Sequence, residues 1–225
     1  MRDRLSYSSL FSYVPERRIP LHPWDRRDEA KTALEFMRCL KNNWPYSRGS
    51  SSIEPSKVVA QILVKNLSHW RSVFHGDVVL VPVPRSAPIR KNDLWPPFLI
   101  AEEMQKAGLG RVLTLLERVE RVNPSSRSLA KERPSPKEHF ESIRLLELSV
   151  VDVKNVILVD DLVTRGHTFM GCAWKIDEAY PNVGIHAFAA IRTISNPEEF
   201  KGFYDPVEQG MITYRRDSDD CLRRP

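Results

Sequence analysis

The sequence from residue 156 to residue 168 reads VILVDDLVTRGHT and decides the fold. Its four leading residues are apolar and unbroken, which predicts a strand buried on both faces of a parallel sheet. Two carboxylates, Asp160 and Asp161, follow at the carboxyl end of that strand. A short loop over residues 162–166 then leads into a helix predicted over residues 167–180. Strand, loop and helix in this order indicate an α/β unit.

The rest of the chain continues this alternation on both sides of the central stretch. The sequence predicts further strands at residues 78–81, 112–116 and 183–192, and helices at residues 28–42, 55–70 and 95–107. Residues 47–56 and 117–138 are polar and predict loops, while the first 28 residues lack a period and predict an irregular arm. We therefore expect an α/β fold with a mainly parallel sheet flanked by helices.

Length and composition are those of a globular chain. The 225 residues suit one domain with additions, and the 41% hydrophobic content excludes collagen-like, fully disordered and disulfide-scaffold classes. We divide the chain into an N-terminal arm and helical extension (1–76), an α/β core (77–195) and a C-terminal tail (196–225). The formal net charge of +5 favours anionic partners such as phosphates or nucleic acid.

The metal-binding and membrane classes find no support in the sequence. Cys39, Cys172 and Cys221 stand far apart and form no C-x-x-C pair, so we expect reduced thiols, two of them in the core. The six histidines lack the spacing of a zinc site. No apolar run approaches the roughly 18 residues of a membrane helix, and the first residues do not resemble a signal peptide. We expect a cytoplasmic protein without a membrane partner.

The residues after the central strand predict a site for a phosphorylated sugar. Ligands of open α/β sheets bind beyond the carboxyl ends of the strands, where a helix N-terminus offers free N–H groups to a phosphate. Thr164 and Thr168 add hydroxyl donors, and Gly166 lets the backbone approach the anion. Asp160 and Asp161 can accept hydrogen bonds from the two vicinal hydroxyls of a ribose. The alternative is a strand end whose acids cap the next helix.

This combination resembles the phosphoribosyl pyrophosphate-binding motif of the type I phosphoribosyltransferases. The apolar tetrad, the acid pair, Thr164, Gly166 and Thr168 all stand in register with it. Two positions depart from the family pattern, since Arg165 replaces a Thr or Ser and His167 replaces an Ala or Gly. The resemblance implies a 5′-phosphate loop formed by Val163, Thr164, Arg165, Gly166, His167 and Thr168. We expect the Arg165 guanidinium to fold back onto the phosphate, whereas His167 caps the helix or faces solvent.

Over residues 29–195 the chain resembles the ComF-like branch of that superfamily. A strand ending in Val-Pro-Val-Pro at residues 81–84 precedes Arg85 and Ser86, which the resemblance assigns to pyrophosphate; the alternative for Arg85 is an exposed turn residue. The leucine-arginine and glutamate-arginine pairs of the branch match residues 116–118 and 132–133. A glutamine common in its basic loop and its cysteine-rich metal module are absent. The resemblance implies a type I phosphoribosyltransferase-like fold with an N-terminal helical or hood extension.

The resemblance also implies a reaction. A Mg²⁺-dependent phosphoribosyltransferase, a glycosyltransferase that transfers a pentosyl group, would hold the ribose hydroxyls on Asp160 and Asp161, which also reach Mg²⁺ through the ligand. Two alternatives use the same fold. One is a ligand-sensing or DNA-uptake accessory protein that transfers nothing, favoured by Arg165 and the absent glutamine. The other is a nucleotide N-glycosidase, in which water is the acceptor.

The expected partner is a phosphorylated ribose ligand. Nucleic-acid contact through basic residues of the arm or tail is a weaker alternative, because the tail reads first as solvated charge. The basic residues concerned are Arg17, Arg18, Arg26 and Arg27 in the arm, and Arg215, Arg216, Arg223 and Arg224 in the tail. A homodimer stays open at this point.

Overall fold

A central sheet of seven strands organises the computed structural model, which describes residues 1–21, 24–49, 51–123, 133–146 and 154–225. The strands are β1 (Arg4–Tyr13), β2 (Tyr46–Arg48), β3 (Ser51–Ile53), β4 (Val78–Pro82), β5 (Arg111–Val112), β6 (Leu116–Arg118), β7 (Ile143–Leu145), β8 (Asn155–Val163), β9 (Gly184–Thr193), β10 (Tyr204–Arg215) and β11 (Asp220–Arg224). The α-helices are α1 (Arg27–Asn42), α2 (Pro55–Lys65), α3 (Leu67–Trp70), α4 (Pro96–Lys106), α5 (Pro136–Glu141) and α6 (His167–Ala179).

The strand order of the sheet is β11-β10-β1-β9-β8-β4-β5. Strands β1, β9, β8, β4 and β5 run parallel, whereas β10 and β11 are antiparallel to their neighbours. Two short ribbons, β2–β3 and β6–β7, lie outside this sheet. The prediction of an α/β fold with a mainly parallel sheet flanked by helices is confirmed.

Apolar side chains cover both faces of the sheet. On β8, Val156 and Leu158 face a core formed with α6, while Ile157 and Val159 face a core formed with α1, α2 and α4. Because successive side chains of a strand point to opposite faces, a strand between two helical layers must be apolar throughout. This is the reason for the unbroken run at the start of β8. Cys39, Cys172 and Cys221 are free, as expected, and all three are buried, whereas the sequence placed two of them in the core.

Both ends of the chain contribute strands to this sheet, so the predictions of an irregular arm and of a solvated tail were wrong. Strand β1 lies between β9 and β10, and β10 and β11 complete that edge of the sheet. The three predicted segments of the chain therefore share one sheet.

Several local predictions were also wrong. Residues 47–56 include most of the β2–β3 ribbon, and the predicted helix over residues 55–70 is divided into α2 and α3 at Asn66. The predicted strand over residues 112–116 is divided between β5 and β6. The predicted loop over residues 117–138 contains the end of β6 and the start of α5, and its residues 124–132 lie outside the described residues. Strand β8 continues through Asp160 and Asp161 to Val163.

The topology leaves a crevice between β4 and β8. The chain passes from β4 to β5 on one side of β4 and then to β8 on its other side. Loops that leave neighbouring parallel strands in opposite directions open a cleft at the carboxyl ends, where ligands of such sheets bind. Within the part of the chain that the structure describes, no helix combines the length and apolar character required to span a membrane.

Candidate functional site

A cavity of about 600 Å³ lies at the carboxyl ends of β4 and β8 and at the N-terminus of α6. We call it the strand-end cavity. Its walls include all the residues that the sequence assigns to a site, namely Arg85, Ser86, Asp160, Asp161, Val163, Thr164, Arg165, Gly166, His167 and Thr168. Among the described residues, six basic side chains also line it: Lys41, Arg85, Arg118, Arg121, Arg133 and Arg165. The walls therefore combine one acid pair with an excess of positive charge.

The two acids are held by contacts with the protein. The Oδ1 atom of Asp160 accepts the N–H of Asp161 at 2.8 Å, and the Lys41 ammonium donates to Oδ2 of Asp161 at 2.9 Å. Burial, and then the negative charge of Asp161, raise the pKa of Asp160 well above its usual range. Burial opposes the ionisation of Asp161, but Lys41 lowers its pKa. These opposite shifts favour negative charge on Asp161 over Asp160.

Lys41 is a functional candidate that the sequence analysis missed. It belongs to the last turn of α1, and only 30% of its side chain is exposed. Burial alone would lower the pKa of Lys41, but the charges of Asp161 and Asp160 raise it. One signal was present in the sequence, because Lys41 continues the i, i+3, i+7 row of Leu34 and Met37 on the buried face of the helix.

The turn into α6 needs a glycine. Gly166 is the N-cap residue with φ of 94°, and no side chain of the described ranges caps the helix. A Cβ atom there would lie 2.6–2.9 Å from the side chain of Ile212 on β10. The absence of a side chain thus lets β10 pack against the turn, a reason that the sequence could not supply, and leaves the first N–H groups of α6 at the cavity.

Arg223 from β11 fastens the same turn. Its guanidinium donates to the carbonyl oxygens of Thr164 at 2.7 Å and Thr193 at 2.6 Å, and to the hydroxyl of Tyr7 at 2.9 Å. The hydroxyls of Thr164 and Thr193 lie 3.1 Å apart and share a hydrogen bond. Arg223 therefore orders the predicted phosphate loop from outside the cavity, which is a different role from the solvated charge expected of it.

Arg165 and His167 both contact Asp220 of β11. The Nη1 atom of Arg165 lies 3.0 Å from Oδ1 of Asp220, and Nε2 of His167 lies 2.7 Å from the same oxygen. The Nδ1 atom of His167 lies 2.8 Å from the carbonyl oxygen of Pro134. Burial opposes ionisation of Asp220, but His167, Arg215 and Arg165 lower its pKa to about 2. The predicted inward fold of Arg165 and the solvent-facing alternative for His167 are both absent from this arrangement.

The predicted pyrophosphate loop follows β4. Arg85 forms an ion pair with Asp93 at 3.0 Å within the same loop. Its carbonyl oxygen accepts Nε of Arg118 at 2.9 Å, and the carbonyl oxygen of Ser86 accepts the N–H of Val122 at 2.8 Å. The loop backbone is therefore fixed from β6 and the residues after it, while the Arg85 side chain remains on the cavity wall.

Arg118 is a buried cation without an acidic partner among the described residues. Only 1% of the residue is exposed, and its guanidinium donates to the hydroxyl of Ser142, to Nδ1 of His139 and to the Arg85 carbonyl. Burial lowers the pKa of Arg118. Nε of Arg133, on the same cavity wall, is buried and finds no hydrogen-bond partner among the described residues. A buried charge is costly unless it is paired, so an anion in this cavity would be bound favourably.

Mg²⁺, the metal that the resemblance implies, requires oxygen ligands. Within the described residues, no group of three or more His, Cys, Asp or Glu side chains is arranged to hold a metal ion. The cavity supplies two carboxylates, one of them paired with Lys41. Because protein-bound Mg²⁺ often takes one or two carboxylates and completes its shell with substrate phosphates and water, these donors fit Mg²⁺ that binds together with a ligand.

The comparisons with known proteins leave the family open. No family model matches the chain, and no curated protein matches it. The resemblance to the phosphoribosyltransferases thus stays an expectation based on the residues of the two loops.

Proposed function

We propose that this chain binds phosphoribosyl pyrophosphate, or another ribose 5-phosphate ligand, together with Mg²⁺, and transfers or releases the phosphoribosyl group. The observation that carries the proposal is the composition of the strand-end cavity. It joins an acid pair, an uncapped helix N-terminus and six basic side chains, of which Arg118 lacks a carboxylate partner among the described residues. A ligand with vicinal hydroxyls between two phosphate groups is complementary to this arrangement.

The proposed roles follow from the two ends of the cavity. The N–H groups of the first turn of α6 and the hydroxyl of Thr168 would bind the 5′-phosphate. Asp160 and Asp161 would accept the ribose hydroxyls, and the charge on Asp161 would stabilise positive charge that develops at the anomeric carbon. Arg85 and Ser86 would hold the departing pyrophosphate. Positioning and electrostatics, with no covalent step on the protein, would supply the catalysis.

Bound Mg²⁺ would neutralise charge on the pyrophosphate oxygens. The residues that would hold it are Asp160 and Asp161, acting through the ligand's oxygens and water. Lys41 keeps Asp161 ionised, and an ionised carboxylate is the form that a hard cation requires.

Titration calorimetry with ribose 5-phosphate and with inorganic phosphate tests the binding part of the proposal. In the parent chain the ribose ligand should bind more tightly than phosphate. Asp160→Ala should remove that difference and leave phosphate binding unchanged. Asp160 is preferred to Asp161 for this test, because loss of Asp161 would leave the Lys41 ammonium unpaired. Equal affinities for the two ligands in the parent chain would contradict a ribose site.

Asp177→Ala is a matched control for that variant. Asp177 belongs to α6 and pairs with Arg2, but it does not line the strand-end cavity. Its loss should change the thermal midpoint without changing either affinity.

A second candidate, binding without transfer, is favoured by the ion pair between Lys41 and Asp161. This pair occupies one oxygen of an acid that transfer would need for the ribose. Incubation with phosphoribosyl pyrophosphate, Mg²⁺ and a mixture of nucleobases separates the candidates. Release of pyrophosphate supports transfer, whereas calorimetric binding without release supports sensing. Release of base from AMP would instead support the N-glycosidase alternative.

A further inference from the structure

The hydroxyl of Thr168 receives a contact from outside its own helix. Nε2 of His139, on α5, lies 3.3 Å from Oγ1 of Thr168. On the other side of the imidazole, Nδ1 lies 3.1 Å from Nη2 of Arg118 on β6. His139 and Arg118 are both buried, with 2% and 1% of each residue exposed. The three side chains form a continuous row along the wall of the strand-end cavity.

The direction of every hydrogen bond in this row is fixed by chemistry. A guanidinium can only donate, so Nδ1 of His139 must accept and must carry no proton. In a neutral imidazole the proton then lies on Nε2, which donates to Thr168. Burial, and then the neighbouring Arg118 and His167, lower the pKa of His139 to about 3, in agreement with a neutral ring. With one lone pair of Oγ1 engaged, the Thr168 hydroxyl is free to donate its own hydrogen.

We propose that Arg118 and His139 are positioning residues that fix the Thr168 hydroxyl as a hydrogen-bond donor to a phosphate in the strand-end cavity. The inference rests on the proposed binding of a phosphorylated ligand by the α6 turn. A hydroxyl that rotates freely would have to be ordered when the anion binds, whereas this one is ordered in advance. Neither Arg118 nor His139 need touch the phosphate on Thr168 for this role.

The same row connects the two phosphate-binding loops. Nε of Arg118 donates to the carbonyl oxygen of Arg85 at 2.9 Å, while its Nη2 reaches Thr168 through His139. One guanidinium therefore sets the backbone of the predicted pyrophosphate loop and the donor direction of the 5′-phosphate loop. A displacement of α5 should consequently disturb the geometry of both loops.

Close packing of two helices brings His139 within reach of Thr168. Gly171 lies one turn beyond Thr168 on α6, and a Cβ atom there would be 2.7 Å from Cβ of His139 and 2.8 Å from the carbonyl oxygen of Pro136. No flexible side-chain end can yield at these contacts. Gly171→Ala should therefore move α5 away from α6 without removing any polar group of the row.

Titration calorimetry with inorganic phosphate and with ribose 5-phosphate tests the proposal. Thr168→Val and His139→Leu should each weaken binding of phosphate about tenfold, the loss expected for one charge-assisted hydrogen bond. His139→Gln keeps an acceptor for Arg118 and a donor for Thr168, so it should recover most of the affinity. Gly171→Ala should reproduce part of the loss, and it serves as a second variant if His139→Leu does not fold.

A double-mutant cycle on phosphate affinity separates a positioning role of His139 from a merely structural one. If His139 acts through Thr168, the variant with both His139→Leu and Thr168→Val should bind phosphate no more weakly than Thr168→Val alone. Additive losses would overturn the proposal, because they would mean that His139 affects binding by another route.

His186→Leu is the matched control. His186 is a partly buried histidine held by the hydroxyls of Ser6 and Ser8, and it lies away from the strand-end cavity. It should lower the thermal midpoint and leave both affinities unchanged.

The two ligands distinguish failure of this proposal from failure of the proposed function. Suppose that His139→Leu loses phosphate binding and that the parent chain does not prefer ribose 5-phosphate. This result would support the positioning role of Arg118 and His139 and reject the ribose site. Normal phosphate binding by a folded His139→Leu variant would reject the row and keep the ribose site. A parent chain that binds neither ligand would overturn both.

Discussion

Two charged centres meet at the strand-end cavity, and they balance their charge differently. In the acidic centre the negative charge on Asp161 faces the Lys41 ammonium at 2.9 Å. In the basic centre the Arg118 guanidinium is bonded, among the described residues, to neutral groups alone: two carbonyls, a hydroxyl and an imidazole. The acidic centre is complete without a ligand, whereas the basic centre gains its counter-charge only when an anion binds. An anion in this cavity should therefore be bound mainly by the basic centre.

The largest effect should come from breaking the balanced centre. Lys41→Met removes the counter-charge of Asp161 and leaves a carboxylate that is 13% exposed. Removal of one member of a buried pair costs about 3–5 kcal/mol, and we expect about 3 kcal/mol because Lys41 is partly exposed. Urea denaturation at pH 7 measures this loss of unfolding free energy.

The double variant Lys41→Met with Asp161→Asn is the control, because it removes both charges. It should recover most of the lost free energy. A Lys41→Met protein as stable as the parent would mean that the acidic centre is not balanced by this pair.

The next effect should come from the unbalanced centre. Arg118→Met should weaken binding of pyrophosphate about a hundredfold, or about 2.7 kcal/mol, because the anion loses a buried counter-charge. Arg144→Met is the control, since Arg144 lies on the adjacent strand β7 and pairs with Glu117 on the surface. Calorimetric titration with pyrophosphate should show no change for the control. A loss below threefold in Arg118→Met would remove the distinction between the two centres.

The sequence predicted the part of the site that is local in the chain. The apolar start of β8, its two acids, and Thr164, Gly166 and Thr168 follow one another without interruption, so a strand, a turn and a helix N-terminus can be inferred directly. Strand β4 was predicted for the same reason, whereas the role of the loop with Arg85 came from the family resemblance. The cavity brings these two segments together as expected for neighbouring parallel strands.

The sequence did not reveal the contacts that come from distant segments. Lys41 pairs with an acid 120 positions away, and Arg223 fastens a turn 59 positions away, and no local pattern encodes such partners. Strand β1 was hidden by its serines, which give its sequence no clear alternation. Ser8 can be buried because its hydroxyl is hydrogen-bonded to His186 and to the carbonyl oxygen of Glu208. Ser12 can be buried because its hydroxyl donates to the carbonyl oxygen of Gly202.

A smaller effect concerns pH and the basic centre. Arg118 and burial hold His139 neutral, with a pKa of about 3 against an ordinary 6.5. Below pH 6.5 the His139 ring is therefore protonated in the unfolded chain but stays neutral in the folded chain. The stability that His139 contributes is complete above pH 6.5 and is lost as the pH falls towards 3. Between pH 7 and pH 5 the parent should lose about 2 kcal/mol relative to His139→Gln.

Urea denaturation of both proteins at the two pH values gives this difference, from which the contributions of other titrating groups cancel. His186→Gln provides a comparison, because burial alone lowers the pKa of His186 to about 4. Its loss over this range should have the same sign. A His139 difference that is flat with pH would mean that the ring accepts a proton beside Arg118, and the hydrogen-bond directions inferred for Thr168 would then be wrong.

The smallest effect should come from Arg165, which belongs to neither centre. Its side chain is 43% exposed, and its guanidinium contacts both carboxylate oxygens of Asp220, at 3.0 and 3.2 Å. An exposed ion pair of this kind contributes below about 1 kcal/mol, and a guanidinium held there adds little to the field at the α6 turn. Arg165→Thr should therefore change the affinity for ribose 5-phosphate less than about threefold, or about 0.65 kcal/mol. The inward fold predicted from the sequence requires a tenfold loss instead, so titration calorimetry on the two proteins separates the arrangements. A tenfold loss would show that Arg165 leaves Asp220 when the ligand binds, and the anion would then be held by Arg165 in addition to the basic centre.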